Sequence, residues 1–297
     1  MPHRGLASHL KVSEQSVYEA VAYLSSDGLQ GRKPGTQGIE LAAQYLEGVF
    51  SDNGILPYFE SYRDGFLHNG SPTYNIVGHI EGCDEVLKHD YVVIGAHYDH
   101  EGVVVGGGPD QDVVYNGAND NASGVTAVIE IARYFAARRD NKRSLMFCFF
   151  TAEEDGRKGS GHLTQRLKAA NFPIYAMVNF EMIGVPLEDG TVYLTGFERS
   201  NMGACFNSYA GKVFFKALAA VPNLVLYWNS DNYPFNDVFG VPAHSVTTFN
   251  MENYGQVHTI DDEIGNLDIQ HITGVINEML PVIAAMASTQ LKEISTT

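Results

Sequence analysis

The sequence predicts an α/β fold with a mixed, mostly parallel central sheet that is covered by helices on both faces. Strand-like and helix-like segments alternate along most of the 297 residues, and this alternation is typical of parallel strands joined by crossover helices. The runs YVVIGA (91–96) and LMFCFF (145–150) are almost wholly apolar, as expected for strands buried on both faces. Since no linker is visible, we expect a single domain over residues 1–297.

Two helices are predicted ahead of the first strand. One covers residues 13–24, and the other covers residues 39–53, where apolar side chains recur at helical spacing. The turn-rich stretch 25–38 separates them. Gly54 follows the second helix at the position where a C-terminal cap is expected.

The rest of the chain is predicted to alternate between short apolar strands and amphipathic helices. The segment 102–116, rich in Gly and Asp, is expected to form an exposed rim loop or a lid. The last helix begins at Asp268, which suits an N-cap, and contains Pro281, where a kink is expected. The predicted strands are 74–80, 91–96, 144–151, 174–180, 192–195, 224–227 and 243–248, and the predicted helices are 125–138, 161–170, 206–220 and 268–291.

Charge and composition exclude several classes of partner. The chain carries 19 Lys and Arg residues against 35 Asp and Glu residues, a net charge of −16, whereas nucleic acid phosphates need a basic surface. No apolar run reaches the roughly 18–20 residues of a membrane span. The three cysteines, Cys83, Cys148 and Cys205, are too few for a disulfide framework.

Five short segments place metal-binding residue types at the ends of predicted strands or in the loops beside them. Because ligands bind beyond the carboxyl ends of the strands in open α/β sheets, we expect these side chains to converge at one edge. Any one segment would be ordinary surface or helix-cap chemistry, but five in one chain favour a shared site. The segments are IGAHYDHEG (94–102), NGANDNASG (116–124), FFTAEEDG (149–156), NFEMIG (179–184) and YGQVHTIDD (254–262), and they offer His97, Asp99, Asp120, Glu153, Glu154, Glu181 and His258.

This set of carboxylates with two imidazoles suits a pair of divalent cations. Asp120, a short carboxylate on a tight loop, is the natural bridge between two ions. Of the adjacent acids Glu153 and Glu154, one suits metal binding and the other suits general base catalysis. Asp99, two residues after His97, is expected to accept the second imidazole N–H. The donor set favours zinc, and manganese and cobalt also fit.

In these motifs the chain resembles the dinuclear zinc aminopeptidases of the bacterial leucyl aminopeptidase and aminopeptidase S type, relatives of glutamate carboxypeptidase and glutaminyl cyclase. The resemblance begins at LQGRKPGTQGIELAAQYLEGVFSDNGILP (29–57) and continues through all five segments. It implies a fold of the zinc exopeptidase type. It also implies that Asp120 bridges two zinc ions. His97 and Glu181 would complete the ligands of one ion, and Glu154 and His258 those of the other. Glu153 would be the general base, and Asp99 would support His97.

The chain departs from the family pattern at two positions. Glu181 stands where the family has Asp, and because its side chain is one methylene longer, occupancy of the second metal site is left open. In SDNYPF (230–235), Asn232 replaces a family His. The resemblance further implies a cis peptide bond directly after Asp120. His100, next to the site, is expected to line its rim.

By this resemblance the chain is expected to be a metal-dependent aminopeptidase that acts on peptides with a free N-terminus. It is expected to be secreted or periplasmic after removal of a leader, with a cytoplasmic location left open. Two alternatives stay open: a glutaminyl cyclase-like enzyme with a reduced metal site, and a catalytically inactive peptidase fold that binds a partner. A serine hydrolase is disfavoured because the sequence has no Gly-x-Ser-x-Gly elbow; the nearest string is KGSGH (158–162). The sequence predicts neither the preferred first residue nor the oligomeric state.

Overall fold

The computed structural model describes residues 11–106, 111–218, 225–250 and 254–297 of the chain. Its strands are β1 Leu56–Pro57, β2 Arg63–His68, β3 Ser71–Ile80, β4 Tyr91–His97, β5 Gly102–Val103, β6 Val114–Tyr115, β7 Ser144–Phe150, β8 Ile174–Phe180, β9 Val192–Leu194, β10 Phe215–Lys216 and β11 Ala243–Thr247. Its helices are α1 Glu14–Leu24, α2 Gln37–Asp52, α3 Gly124–Arg138, α4 Lys158–Ala169, α5 Met202–Ala210, α6 Asn232–Phe239 and α7 Ile269–Met286. Within this described part, no helix combines the length and the apolar character that crossing a bilayer requires.

A nine-stranded mixed sheet forms the centre of the fold. Its strands follow the order β1-β3-β7-β4-β8-β11-β9-β10, and β2 also pairs with β3. The neighbours β7, β4, β8 and β11 run parallel, whereas β3 joins β7, and β9 joins β11, through antiparallel pairs. Helices pack on both faces, so the predicted α/β fold with a mixed sheet and a parallel centre is confirmed.

Alternating side chains of the central strands fill two hydrophobic cores. In β4, Val92 and Ile94 belong to the larger core, to which α1, α2, α3 and α7 contribute. Val93, between them, belongs to a smaller core that contains Leu163 of α4 and Phe235 of α6. All five side chains are buried. A strand that is buried on both faces needs no polar side, which explains why YVVIGA lacks the alternation of a half-exposed strand.

Most predicted elements agree with the structure to within a few residues. α1 begins after Ser13, whose hydroxyl accepts a hydrogen bond from the backbone N–H of Ser16 at 3.2 Å. Gly54 follows α2 in the left-handed conformation (φ +62°) that glycine favours. α7 begins after Asp268, whose carboxylate accepts a hydrogen bond from the N–H of His271 at 2.8 Å.

Two predicted elements are wrong in part. Residues 225–228 are helical rather than extended, because a short apolar run does not distinguish a strand from a helix; residue 224 lies outside the described part. The helix predicted over 206–220 ends with α5, because Gly211 takes a left-handed conformation (φ +67°). The chain then forms β10, and residues 219–220 lie outside the described part.

The segment 102–116, predicted as an exposed rim loop or lid, carries the short antiparallel pair β5–β6. Val105 within it is almost fully exposed, as expected for a rim. Residues 107–110 lie outside the described part of the chain. The described parts of this segment therefore contain a short antiparallel strand pair and are not irregular throughout.

Candidate metal centre

The carboxyl edge of the central strands brings the predicted site residues together. His97 is the last residue of β4, Glu181 directly follows β8, and Glu154 lies shortly after β7. Because β7, β4 and β8 are neighbours and run parallel, their ends place these three side chains next to one another. Asp120, from the turn before α3, and His258, from a loop after β11, reach the same place.

The two carboxylate oxygens of Asp120 face two different imidazoles. Oδ1 lies 3.1 Å from Nε2 of His97, and Oδ2 lies 3.1 Å from Nε2 of His258. Asp120 itself is buried. A carboxylate held in this way has the geometry of a ligand shared by two metal ions.

Glu181 completes one side of Asp120. Its Oε1 lies 3.1 Å from Nε2 of His97, and ligand atoms of His97, Asp120 and Glu181 all lie within 4.8 Å of one another. The hydroxyl of Ser230 donates a hydrogen bond to the other oxygen, Oε2, at 2.7 Å. The longer Glu side chain is therefore held in place and still presents an oxygen to the site.

Glu154 completes the other side, with its Oε2 at 3.0 Å from Nε2 of His258. This side is open to solvent, because the His258 side chain is 47 % exposed. The second oxygen of Glu154 lies 2.8 Å from Nδ1 of His100. The expectation that His100 lines the rim is corrected here: its ring is fully buried, and it joins Asp120 and Glu154 in a second set of ligand atoms within 4.8 Å of one another.

The electrostatics of the cluster favour positive charge between its carboxylates. Burial opposes ionisation of Asp120, but hydrogen bonds from His258 and His97 outweigh it and hold the pKa of Asp120 well below its usual range. Hydrogen bonds with Asp120 and Glu154 raise the pKa of His258 to about 11. For His97, burial opposes the charged form, yet the carboxylates of Glu181 and Asp120 hold its pKa well above the usual value. Hard oxygens and two imidazoles at these distances fit divalent ions such as zinc.

Asp99 lies fully buried beneath the cluster. Its backbone carbonyl is 3.3 Å from Nδ1 of His97, and its carboxylate is 3.7 Å from the same nitrogen. The carboxylate also accepts hydrogen bonds from the backbone N–H groups of Glu153 and Glu154, at 3.1 and 3.4 Å. Burial raises the pKa of Asp99 to about 8. Asp99 thus anchors the turn that carries both glutamates as well as lying beside His97.

Two buried charges that the sequence did not single out hold the turn that carries Asp120. The carboxylate of Asp262 accepts a hydrogen bond from the backbone N–H of Asp120 at 3.0 Å. The guanidinium of Arg32, also buried, donates to the carbonyls of Tyr98 and Gly117 at 2.9 and 3.0 Å. It therefore joins the chain after β4 to the turn before α3. The peptide bond after Asp120 is cis, as the resemblance implies.

The family model of peptidase family M28 matches residues 75–283 of the chain, which is more than half of its length. The chain belongs to peptidase family M28. The matched region runs from β3 into α7 and includes every residue of the metal cluster.

Proteins similar to this M28 chain in sequence or in fold include peptidases and a cyclase. A probable leucine aminopeptidase of Trichophyton verrucosum is 28 % identical over 212 residues, which cover 67 % of this chain and 52 % of the relative. The chain thus spans about half the length of that curated relative. A solved zinc aminopeptidase from Bacillus subtilis is 16 % identical with a TM-score of 0.73 and covers 95 % of this chain and 97 % of its own. A solved glutaminyl cyclase from Porphyromonas gingivalis is 20 % identical with a TM-score of 0.70 and covers 91 % and 97 %. These two structures show a shared fold.

The segment 230–235 of the M28 chain supports β11 and the cluster. Asn232, which stands where the resemblance has His, is fully buried. It donates a hydrogen bond to the carbonyl of Tyr227 at 3.1 Å and accepts one from the hydroxyl of Ser245 at 2.8 Å. Burial raises the pKa of the neighbouring Asp231 to about 7. Asn232 therefore connects the start of α6 to β11.

A cavity of about 650 Å³ opens onto the metal cluster of this M28 chain. Glu153 lines it, and burial raises the pKa of Glu153 well above its usual value. The other lining residues include His97, Asp120, Glu154, Glu181 and His258 from the cluster and Met182, Val225, Leu226, Phe249, Tyr254 and Val257 from the apolar wall.

Sequence reasoning missed four side chains that hold the cluster. Their roles depend on contacts between distant parts of the chain, which a motif does not display. Each lies in a stretch that the resemblance covers, and this was the one signal that could have pointed to them. They are Arg32, Ser230 and Asp262, together with His100, whose place beside the site was expected but whose contact with Glu154 was not.

Proposed function

We propose that this chain is a zinc-dependent aminopeptidase that hydrolyses the first residue from peptides with a free N-terminus. The proposal rests on the arrangement around Asp120. Each of its carboxylate oxygens faces one imidazole, and each imidazole contacts one further carboxylate, Glu181 or Glu154. The family and the aminopeptidases among its relatives support the same reaction class.

Two zinc ions are proposed, because the ligands fall into two sets that share one residue. When bound, such ions polarise the scissile carbonyl and lower the pKa of water. The hydrogen bond from Ser230 to Glu181 supports a second ion, since it keeps the longer carboxylate directed at the site. One set is His97, Asp120 and Glu181, and the other is His258, Asp120 and Glu154.

Glu153 is the proposed general base. Burial raises the pKa of its carboxyl group above the usual value, and a higher pKa makes the ionised carboxylate a stronger proton acceptor. The hydrogen bond from its backbone N–H to Asp99 restricts where the side chain can lie. The hydroxide left by proton transfer from water to Glu153 attacks the scissile carbonyl carbon, and the protonated Glu153 gives its proton to the leaving amine as the C–N bond breaks.

The cavity fits a peptide that begins with an apolar residue. The charged amine of the substrate is attracted by the carboxylates of the cluster. The apolar wall, which includes Leu226, Phe249 and Val257, provides a surface for the first side chain. Together these two features explain removal of residues from the amino end.

Glu153→Gln tests this function, because it keeps the size of the side chain but removes the proton acceptor. We expect kcat for leucyl-p-nitroanilide to fall by about 10²–10⁴-fold while the zinc content, measured by mass spectrometry, stays unchanged. Glu188→Gln, at an exposed position, is the matched control and should retain full activity. Unchanged turnover in the zinc-bound Glu153→Gln variant contradicts the assignment of the base. A zinc-bound wild-type protein that leaves all aminoacyl substrates intact contradicts the function.

A peptide that begins with Gln separates hydrolysis from cyclisation. An aminopeptidase releases free Gln, whereas a glutaminyl cyclase releases ammonia and leaves a pyroglutamyl peptide. We expect free Gln, because both sets of metal ligands are in place. Release of ammonia without free Gln would assign the chain to the cyclase alternative.

A further inference from the structure

The cavity above the metal cluster has one feature that the proposed chemistry does not use. Its polar lining consists mainly of cluster residues, and several other lining residues are apolar. Arg157 also lines it, and among the described residues no other Lys or Arg does so. The chain has a net charge of −16. The guanidinium of Arg157 therefore places a positive charge next to an acidic cluster in an acidic protein.

The main chain holds Arg157 at the edge of the cavity. It directly precedes α4, adopts a left-handed conformation (φ +59°), and donates its N–H to the carbonyl of Glu153 at 2.8 Å. The guanidinium lies 5.7 Å from the ring centre of Tyr233. Its Nη1 is buried and has no hydrogen-bond partner among the described residues. The charge of Arg157 acts on the buried carboxylate of Asp231, and a carboxylate is also the ligand that a guanidinium with an unpaired N–H binds best.

Arg157 also lines a second groove, of about 380 Å³, that adjoins the cavity. Gly156 and Arg157 contribute to both, whereas none of the metal-cluster residues lines the second groove. Lys158 and Asp237 are among its other lining residues. The cavity and the second groove therefore meet at Gly156 and Arg157, on the side of the site away from the metal cluster.

We infer that Arg157 binds a substrate carboxylate that lies beyond the scissile bond. This inference rests on the proposed aminopeptidase function and narrows its substrate class to dipeptides or to peptides with Asp or Glu as second residue. The planar guanidinium can donate two parallel hydrogen bonds to such a carboxylate. The acidic cluster and Arg157 then match the opposite charges at the two ends of a short peptide.

Two pairs of leucyl substrates distinguish the two sources of the carboxylate. Leu-Gly and its amide differ only in the terminal carboxylate, and Leu-Asp-amide and Leu-Asn-amide differ only in the side chain. We expect the charged member of one pair to have a kcat/KM about tenfold higher, which is about 1.4 kcal/mol. The pair that shows the preference identifies the source. Equal rates within both pairs overturn the inference.

Substitution of Arg157 tests whether this residue is the origin of the preference. In Arg157→Gln the ratio of charged to neutral kcat/KM should fall to about one, and Arg157→Lys should retain part of it because the charge remains. Lys158→Gln is the matched control, since Lys158 lines the groove but not the cavity, and it should keep the ratio. A ratio that survives in Arg157→Gln, or is lost equally in Lys158→Gln, overturns the inference.

The same measurements separate this inference from a structural role of Arg157 and from the proposed function. If Arg157 served only to stabilise the fold or the buried charge of Asp231, its substitution would slow both members of a substrate pair equally and the ratio would stay. If the wild-type protein cleaved none of the four substrates, the aminopeptidase function would fail. If it cleaved all four at equal rates, the aminopeptidase function would be supported and the binding of a substrate carboxylate by Arg157 would be refuted. Melting temperature and zinc content of each variant show that the fold is intact.

Discussion

The two halves of the metal cluster share Asp120 but are built in different ways. The half with His97 and Glu181 grows from the ends of β4 and β8, and the His97 side chain is 1 % exposed. The half with Glu154 and His258 comes from loops, and the His258 side chain is 47 % exposed. The carboxylate of Asp120 thus joins a buried half to a half that is exposed to solvent.

This difference shows what the sheet contributes to the site. The backbone N–H of Glu181 donates to the carbonyl of Val246 in β11 at 3.0 Å, so the buried half is fixed by the sheet itself. His258 has a left-handed backbone (φ +56°), which costs a non-glycine residue about 1–2 kcal/mol. We therefore expect the buried half to hold its metal more firmly. The length of Glu181 favours the opposite result. Its side chain is one methylene longer than the Asp of the family pattern, and this suggests weaker metal binding in the buried half.

Substitution of one histidine ligand in each half decides between these two expectations. Zinc binding is the property for which we predict the largest change. Loss of one ligand in His258→Ala should weaken zinc binding in the exposed half by about a hundredfold or more, since even an outer partner of a ligand is worth about 10–100-fold. The variant should retain one zinc. His97→Ala should lose zinc and also stability, because it leaves buried Glu181 without an imidazole partner and buried Asp120 with only His258. Zinc content and melting temperature of both variants are the measurements.

Release of zinc from the wild-type protein to a chromogenic chelator provides the control. We expect two phases, with one equivalent released at least tenfold faster than the other, because solvent reaches only one half directly. His258→Ala should lack the fast phase. A single phase, or equal zinc content in the His97 and His258 variants, would contradict the comparison between the halves. If the fast phase survived in His258→Ala, the longer Glu181 would be the dominant effect.

The buried half should also depend on the stability of the sheet beneath it, and pH probes this dependence. His244 in β11 is buried between the carbonyl of Thr195 at 2.7 Å and the hydroxyl of Ser200 at 2.6 Å. Burial lowers the pKa of His244 from its ordinary 6.5 to about 4. Because the unfolded chain binds this proton more readily, stability is full above about pH 6.5 and is lost as pH falls towards 4. The loss amounts to about 3 kcal/mol at most.

Urea unfolding of the metal-free protein at pH 7 and pH 4 measures this effect. His244→Asn should lose about 3 kcal/mol less than the wild type over this interval, because other titrating groups are common to both proteins. His89→Asn, at an exposed position, is the matched control and should behave as the wild type. An equal pH dependence of the free energy of unfolding in all three proteins would show that protonation of His244 does not destabilise the fold.

The same division between strands and loops explains how much the sequence could predict. Apolar runs that end in His97 or precede Glu181 identify both the buried strands and the residues at their ends, so the fold class and the edge that carries the site followed from pattern alone. Local pattern does not determine contacts such as those of Arg32 with carbonyls in two distant loops. The helix at residues 225–228 was missed because a short apolar run does not distinguish a helix from a strand.

The smallest predicted effect concerns the contact that makes Glu181 part of the buried half. The Ser230 hydroxyl donates to Oε2 of Glu181 at 2.7 Å and accepts from the amide of Asn179 at 2.8 Å. Ser230→Ala removes this support but leaves the ligand, so zinc affinity of the buried half should fall by about tenfold, the lower end of the range for such partners. Ser230→Thr retains the hydroxyl and should restore much of the affinity, whereas Ser208→Ala at an exposed position should change nothing. If Ser230→Ala lowered zinc affinity only in the exposed half, Glu181 would not depend on Ser230, and the greater firmness of the buried half would have to come from burial alone.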